Sequence, residues 1–345
     1  MGRPGGVRRR AALLQVAAAV RTRLGTSALL CACWFAVDLA SPWAPLAAEA
    51  IFSIADPRGD DHGDGALRYP RSHHFAAGDL DLVSFSARPE KDGTLFEAVF
   101  ARPIRKPGPE AIDAGGTTLD KVARFGFYTL NVDVYIDRDR VPGSGRVAML
   151  PGRRAEIDSS TAWERVVVVT PQPYDCYEDL EHLNLRAARD SLERTSPRVD
   201  DEALERLSRD VKAEIDSTVF FATRMRVIGP KLQFFVPGEF LGGPARGSWA
   251  YVVAVSAADL VQRFDLRASF LTGSDFSQGL AILPVAPGLP ADRLGGGREN
   301  DDLQAPLMDV LIAPGTTQES ALGDYDRHAW RPARLRGIVP AEVAR

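Results

Sequence analysis

The segment Asp56-Pro57-Arg58-Gly59-Asp60-Asp61-His62-Gly63-Asp64-Gly65, with Tyr69-Pro70 close behind, crowds four carboxylates and three glycines into one short stretch. Carboxylates that close together repel one another unless a cation, backbone N–H groups or bulk water neutralises them. Two chemistries fit. One is coordination of a hard cation by oxygen ligands; the other is a solvated acidic turn, for which Asp, Gly and Pro are the usual residues.

Motifs of a catalytic set are scarce in the chain. The chain has no Gly-x-Ser-x-Gly elbow, no His-Glu-x-x-His, no phosphate-binding Gly-rich loop followed by Lys and Ser/Thr, and no Cys-x-x-Cys. Gly295-Gly296-Gly297 runs into Arg298-Glu299-Asn300-Asp301-Asp302 instead of a helix start, which reads as a loop and not a phosphate cradle. The histidines are His62, His73, His74, His182 and His328. On a strand, His73 and His74 would point to opposite faces and could not share a metal, whereas a turn would permit it. A carboxylate pair for glycoside hydrolysis depends on a spatial separation that sequence does not display. Cys176 has no basic neighbour to activate it and reads as structural or incidental.

The elements that must position these residues begin behind a leader. Arg8-Arg9-Arg10 with Arg21 and Arg23 form a basic front, Ala28 to Val37 is small and apolar, and Ala48-Glu49-Ala50 offers a small-x-small cleavage site. The apolar run falls short of the about 20 residues a bilayer span needs. The expectation is a signal peptide over residues 1–50, cleaved after Ala50, and an exported periplasmic or extracellular protein without a transmembrane span. Asp38 and the long distance to Ala50 leave an uncleaved anchor as the alternative. Of three cysteines, Cys31 and Cys33 fall in the leader, so the remainder forms no internal disulfide and depends on burial. The formal charge of −4 becomes more negative once the arginine-rich leader is set aside, which gives nucleic acid no footprint.

Residues 51–345 read as one all-β module. Leu82 to Ser86, Phe96 to Phe100 and Thr129 to Asp137 alternate apolar and polar residues, and Val166 to Val169 is continuous, as in a strand buried on both faces. Further strands are expected at Arg165 to Thr170, Thr218 to Val227, Leu232 to Val236, Trp249 to Val255, Arg267 to Leu271 and Met308 to Ala313. Many short strands between Gly/Pro turns suggest a β-sandwich. One stretch, about residues 175–216, switches to helical spacing: Leu180, Leu183 and Ala187, a break at Ser196-Pro197, then Leu204, Leu207, Val211 and Ile215. Asp200 or Asp201 is placed to cap the second helix of this inserted hairpin.

These residues together resemble a family. Asp56-Pro57-x-Gly59-Asp60-Asp61-x-Gly63-x-Gly65, Tyr69-Pro70, then Phe75, Gly78 and Asp81-Leu82 resemble the opening of the C-terminal module of glucodextranase and related amylolytic enzymes. The resemblance continues at Val132-Asp133-Val134-Tyr135-Ile136-Asp137 and Trp163-Glu164-Arg165. It closes with Gly296-Gly297-x-x-x-Asp301-Asp302, Met308-Asp309-Val310-Leu311, Gly315-Thr316-x-Gln318, and Tyr325-Asp326 before Trp330-Arg331-Pro332.

The resemblance implies an immunoglobulin-like or DOMON-like β-sandwich that binds carbohydrate or holds a partner at the cell surface, non-catalytically. It favours a structural Ca²⁺ in the acidic loop, with Asp60 and Asp61 as ligands and Asp79 or Asp81 arriving from the next strand entrance. Backbone carbonyls and water would complete its six to eight oxygens. The implied ligand is a glycan, such as an α-glucan or envelope polysaccharide, and the implied protein partner an amylolytic enzyme. A sugar site needs exposed aromatics, because pyranose faces pack on flat π-systems. Trp163, Trp330 and Tyr69 are the candidates, with Tyr174 beside them, while Trp249 heads an apolar strand and reads as core. Two alternatives stay open: a DOMON-type haem domain using His73 or His74 with Met149, Met225 or Met308, and a glycoside hydrolase with an unrecognised carboxylate pair.

Overall fold

The computed structural model describes residues 49–195, 200–267, 280–298 and 303–343. The leader, with Cys31 and Cys33, lies outside them, as do Ser196-Pro197, the Asp301-Asp302 pair and most of the strand expected at Arg267 to Leu271; Arg267 itself ends a helix, Leu260–Arg267.

In chain order the strands are β1 (Phe52–Ala55), β2 (Leu82–Glu90), β3 (Gly93–Phe100), β4 (Leu130–Asp137), β5 (Ala155–Ile157), β6 (Arg165–Val169), β7 (Val219–Phe221), β8 (Met225–Ile228), β9 (Lys231–Pro237), β10 (Ala250–Ala257), β11 (Val285–Pro287), β12 (Leu294–Gly297), β13 (Leu307–Val310) and β14 (Ala333–Leu335). One five-stranded antiparallel sheet has the order β1-β2-β3-β9-β8; a second, β13-β10-β4-β6-β7, is antiparallel except for the β6–β7 pair. β5 with β14 and β11 with β12 form two small parallel pairs.

The difference in patterning between the two sheets has a simple cause. β3 alternates buried and half-buried residues, because its sheet packs one face on the core. There Phe85, Phe96 and Phe234 form a phenyl ladder across β2, β3 and β9, with ring centroids 5.6 Å apart at each step. Every residue of β4 and β10 is buried. Val132, Val134, Val253 and Val255 join the main apolar cluster, shared with the first sheet. Tyr135, Val166, Val252 and Ala254 join a second cluster on the opposite face.

The helical hairpin covers that second face. Its helices, Pro173–Thr195 and Asp201–Thr218, insert Leu180 and Ile215 into the second cluster, with Leu183 and Val211 against it; Ala187 is exposed, so the apolar stripe ends early. Asp200 caps the second helix, accepting the Ala203 N–H at 2.8 Å. Among the described residues no helix is long and apolar enough to cross a membrane.

One expected strand is corrected. Within Thr218 to Val227, Thr218 ends a helix, and the rest of the expected strand is two strands in different sheets: β7 pairs alongside β6 in parallel, Ala222 still donates to Val168 O, and then β8 pairs with β9. Its incomplete alternation reflects that crossing, since the face being buried changes partway along.

Candidate metal centre and ligand clefts

The acidic loop connects β1 to β2 and is drawn onto β13. Gln318 does much of the drawing: its Nε2 donates to the carbonyls of Asp60, Gly63 and Met308, and its Oε1 accepts Val310 N–H at 2.8 Å. Gly63 sits at φ +60°, and a Cβ there would come within 2.8 Å of Leu307 O. Only glycine allows the loop to lie this close to the strand.

Four carboxylates converge there. Asp56 follows β1, Asp60 lies in the loop, Asp81 precedes β2 and Asp309 sits within β13. One oxygen each of Asp60, Asp81 and Asp309 lies within 4.8 Å of the others. Asp56 Oδ1 accepts Ile312 N–H at 3.4 Å, Asp81 Oδ2 accepts Gly59 N–H at 2.7 Å, and Asp309 Oδ2 accepts Leu82 N–H at 2.6 Å. In each of these three the second oxygen is buried without a partner, as is Oδ1 of Asp60. Backbone donors thus fix the orientation of three carboxylates and leave four oxygens with nothing to accept.

The electrostatic consequence is large. Burial pushes the Asp56 carboxyl up to about 8, helped by the charge on Asp60. Burial also lifts Asp60 and Asp81. Asp309, fully buried, is raised well above the carboxylate range by burial and then by Asp56, Asp60 and Asp81. No Lys or Arg among the described residues forms an ion pair with any of the four. An oxygen-only set with converging free lone pairs is the donor chemistry of a hard divalent cation.

Asp60 and Asp81 are therefore brought together, but Asp61 and Asp79 are occupied elsewhere. Asp61 Oδ2 accepts from Tyr69 OH and from Gly78 N–H at 2.8 Å. Asp79 Oδ2 accepts from Ala76 N–H at 2.8 Å and from the Arg105 guanidinium. Both brace the loop between residues 61 and 81. The carboxylates acting on Asp60 and Asp81 from nearby are instead those of Asp56 and Asp309. An isolated Asp inside the apolar run Met308 to Leu311 was the available signal, since a buried carboxylate needs a partner.

The aromatic candidates separate as sharply. Trp163 is 3% exposed, packs edge-on against Tyr135 with centroids 5.5 Å apart, and donates Nε1–H to Ala148 O at 3.0 Å. It is core and cannot serve as a sugar platform. Tyr69 packs on the main cluster, and its hydroxyl both donates to Asp61 and accepts Leu80 N–H at 2.9 Å, so it is a brace. Trp249 is core as expected. Trp330 alone of the three is open, 72% exposed at φ +51° beside the Asp326–Arg331 bridge.

Tyr174, 64% exposed, opens a cleft of about 530 Å³ with Phe125, Arg124 and Gln172. Gln172 is 6% exposed, yet neither end of its amide has a partner. An aromatic face beside an unsatisfied amide is sugar-site chemistry, and composition gave no hint of the Gln172 half. Cys176, one turn on, is buried, and burial pushes its thiol up to about 12, so it is inert. Met149 and Met308, named for haem ligation, are buried in separate apolar clusters, whereas His73 is exposed on a turn.

No curated protein matches the chain. A family model does, over residues 51–337, described as the C-terminal binding module, SLH-like, of glucodextranase. That span takes in both five-stranded sheets, the hairpin and all four converging carboxylates, and on it the chain belongs to the family of glucodextranase C-terminal binding modules.

Proposed function

We propose that this is an exported, non-catalytic carbohydrate-binding module whose two main sheets form a β-sandwich tied at one edge by a structural Ca²⁺. The ion is held by Asp56, Asp60, Asp81 and Asp309. β1 is an edge of the first sheet and β13 an edge of the second, so an ion on these residues joins the two edges. Water and backbone carbonyls complete its shell. The observation that carries the metal reading is the four buried carboxylate oxygens left without a partner.

The glycan binds in the Tyr174 cleft, with a pyranose face on the phenol ring and hydroxyls on the free amide of Gln172. Trp330 supplies a second, more open platform. The ligand class is an α-glucan or envelope polysaccharide, as family membership suggests. A glycan array on the protein, read with calcium and with a chelator, tests this. Binding to α-glucans that Tyr174→Ala removes is the expected result. A module that retains no glycan in either condition has some other role.

A further inference from the structure

We infer that His73, His74 and Glu110 form a second metal site, selective for a divalent transition-metal ion of the Zn²⁺ class. The two histidines lie on a turn, not a strand, so adjacent imidazoles face the same way, with ring centroids 4.0 Å apart. His73 Nε2 is 3.1 Å from Glu110 Oε2, and His74 Nδ1 is 3.6 Å from Glu110 Oε1. One donor atom from each residue fits within a 4.8 Å sphere of separation. Tetrahedral zinc with bonds of about 2.0–2.1 Å places its ligand atoms about 3.3 Å apart. The two histidine–carboxylate separations, one to each oxygen of Glu110, lie on either side of that edge length.

A surface ion pair accounts for His73 and Glu110 but leaves His74 unexplained. His74 is 8% exposed, and its Nδ1 is buried with no hydrogen bond while facing the carboxylate. A buried imidazole nitrogen aimed at two other donors and satisfied by none of them is a ligand position.

The surrounding structure holds all three donors. His74 packs edge-on against Tyr128, at 5.7 Å and 89°, next to the buried Phe75. The His73 carbonyl accepts from Arg105 at 3.2 Å, and Arg105 has its own carboxylate in Asp79. Glu110 is fixed by its carbonyl, which accepts Leu119 N–H at 2.9 Å at the base of a short hairpin. A cleft of about 480 Å³ adjoins the three residues, with Ser72 and Asp292 on its wall, which leaves room for a fourth ligand. Two imidazoles and one carboxylate suit zinc and its late-transition neighbours, whereas Ca²⁺ takes oxygen. The site would clamp the 71–74 turn to the 110–119 hairpin, and it does not depend on the reading of the acidic loop.

Isothermal titration of ZnCl₂ into tag-free protein, in buffer saturated with Ca²⁺, is expected to give one site per chain. His73→Ala and Glu110→Gln should each weaken it about tenfold or more. Both side chains reach solvent, and an unchanged zinc-free melting temperature verifies that each variant folds. Co²⁺ in place of Zn²⁺ should show the visible bands of a four-coordinate ion in the parent protein and lose them in His73→Ala. The inference is overturned by the absence of saturable zinc binding, by isotherms unchanged in both variants, which would place the ion on His62, His182 or His328, or by a six-coordinate cobalt spectrum.

Discussion

Asp133 and Asp309 pose the same problem on opposite sides of β10 and meet it differently. Asp133 stands opposite Ala254 and Asp309 opposite Val255, so they face opposite sides of one sheet, both almost wholly buried. Asp133 has its cation within the chain: Arg153, fully buried, donates Nε–H at 2.6 Å and Nη2–H at 3.1 Å to its two oxygens. Asp309 has three more carboxylates for company and, among the described residues, no Lys or Arg ion pair. A buried charge must be neutralised. One side of the sheet achieves this by folding alone; on the proposed reading the other would draw on the medium, which would make its stability conditional.

The largest effect should come from breaking the self-sufficient side. Arg153→Met leaves Asp133 buried and uncompensated and should cost about 3–5 kcal/mol in chemical denaturation, equally with calcium and with chelator. A smaller loss on chelation alone would show that the two sides are not independent. Next comes removal of calcium from the parent protein. At a hundredfold excess of calcium over its Kd the ion contributes about 2.7 kcal/mol, a melting shift on the order of 5 °C. Asp309→Asn should abolish that shift while raising the calcium-free melting temperature, because it removes a carboxyl that folding must bury and keep protonated among others. Superimposable transitions of the parent protein with calcium and with chelator would defeat the metal reading.

The two sides of the sheet should also differ with pH. The folded Asp56 carboxyl holds its proton up to about 8, against an ordinary 3.8. The folded state therefore binds more protons than the unfolded one, and calcium-free protein should lose stability as pH rises through that window. Calcium should flatten the dependence; a calcium-free protein that gains stability over the same range contradicts the assignment. The smallest effects belong to the exposed aromatics. Tyr174→Ala should weaken glycan binding about tenfold and Trp330→Ala less, with unfolding free energies changed by no more than about 0.5 kcal/mol. Equal loss from both would mean one extended binding face.

Sequence periodicity located β2, β3, β4, β6, β9 and β10 because each is a continuous run facing constant surroundings. It merged β7 with β8, whose surroundings change at Ala222, and passed over β5 and β14, which have three residues each. The acidic loop was legible as a concentration of carboxylates from its own composition. Its membership was not: Asp61 and Asp79 are consumed by the N–H groups of Gly78 and Ala76, and Asp309 arrives from a distant strand. Two of the three aromatic candidates are occupied for a related reason, as Trp163 and Tyr69 each found hydrogen-bond acceptors inside the fold. A residue type says what a side chain is able to do, and only its neighbours decide whether that capacity is already spent.

The hydrogen bond from Leu82 to Asp309 joins residues 227 positions apart. During synthesis, the acidic loop emerges long before the strand that carries Asp309, so the four carboxylates cannot meet on a nascent chain. Contacts of such separation also carry the entropy of a very long loop and form late. On the proposed metal reading, calcium capture would work as an end-of-line inspection, recording that both sheets have formed and that the two ends of the module have met.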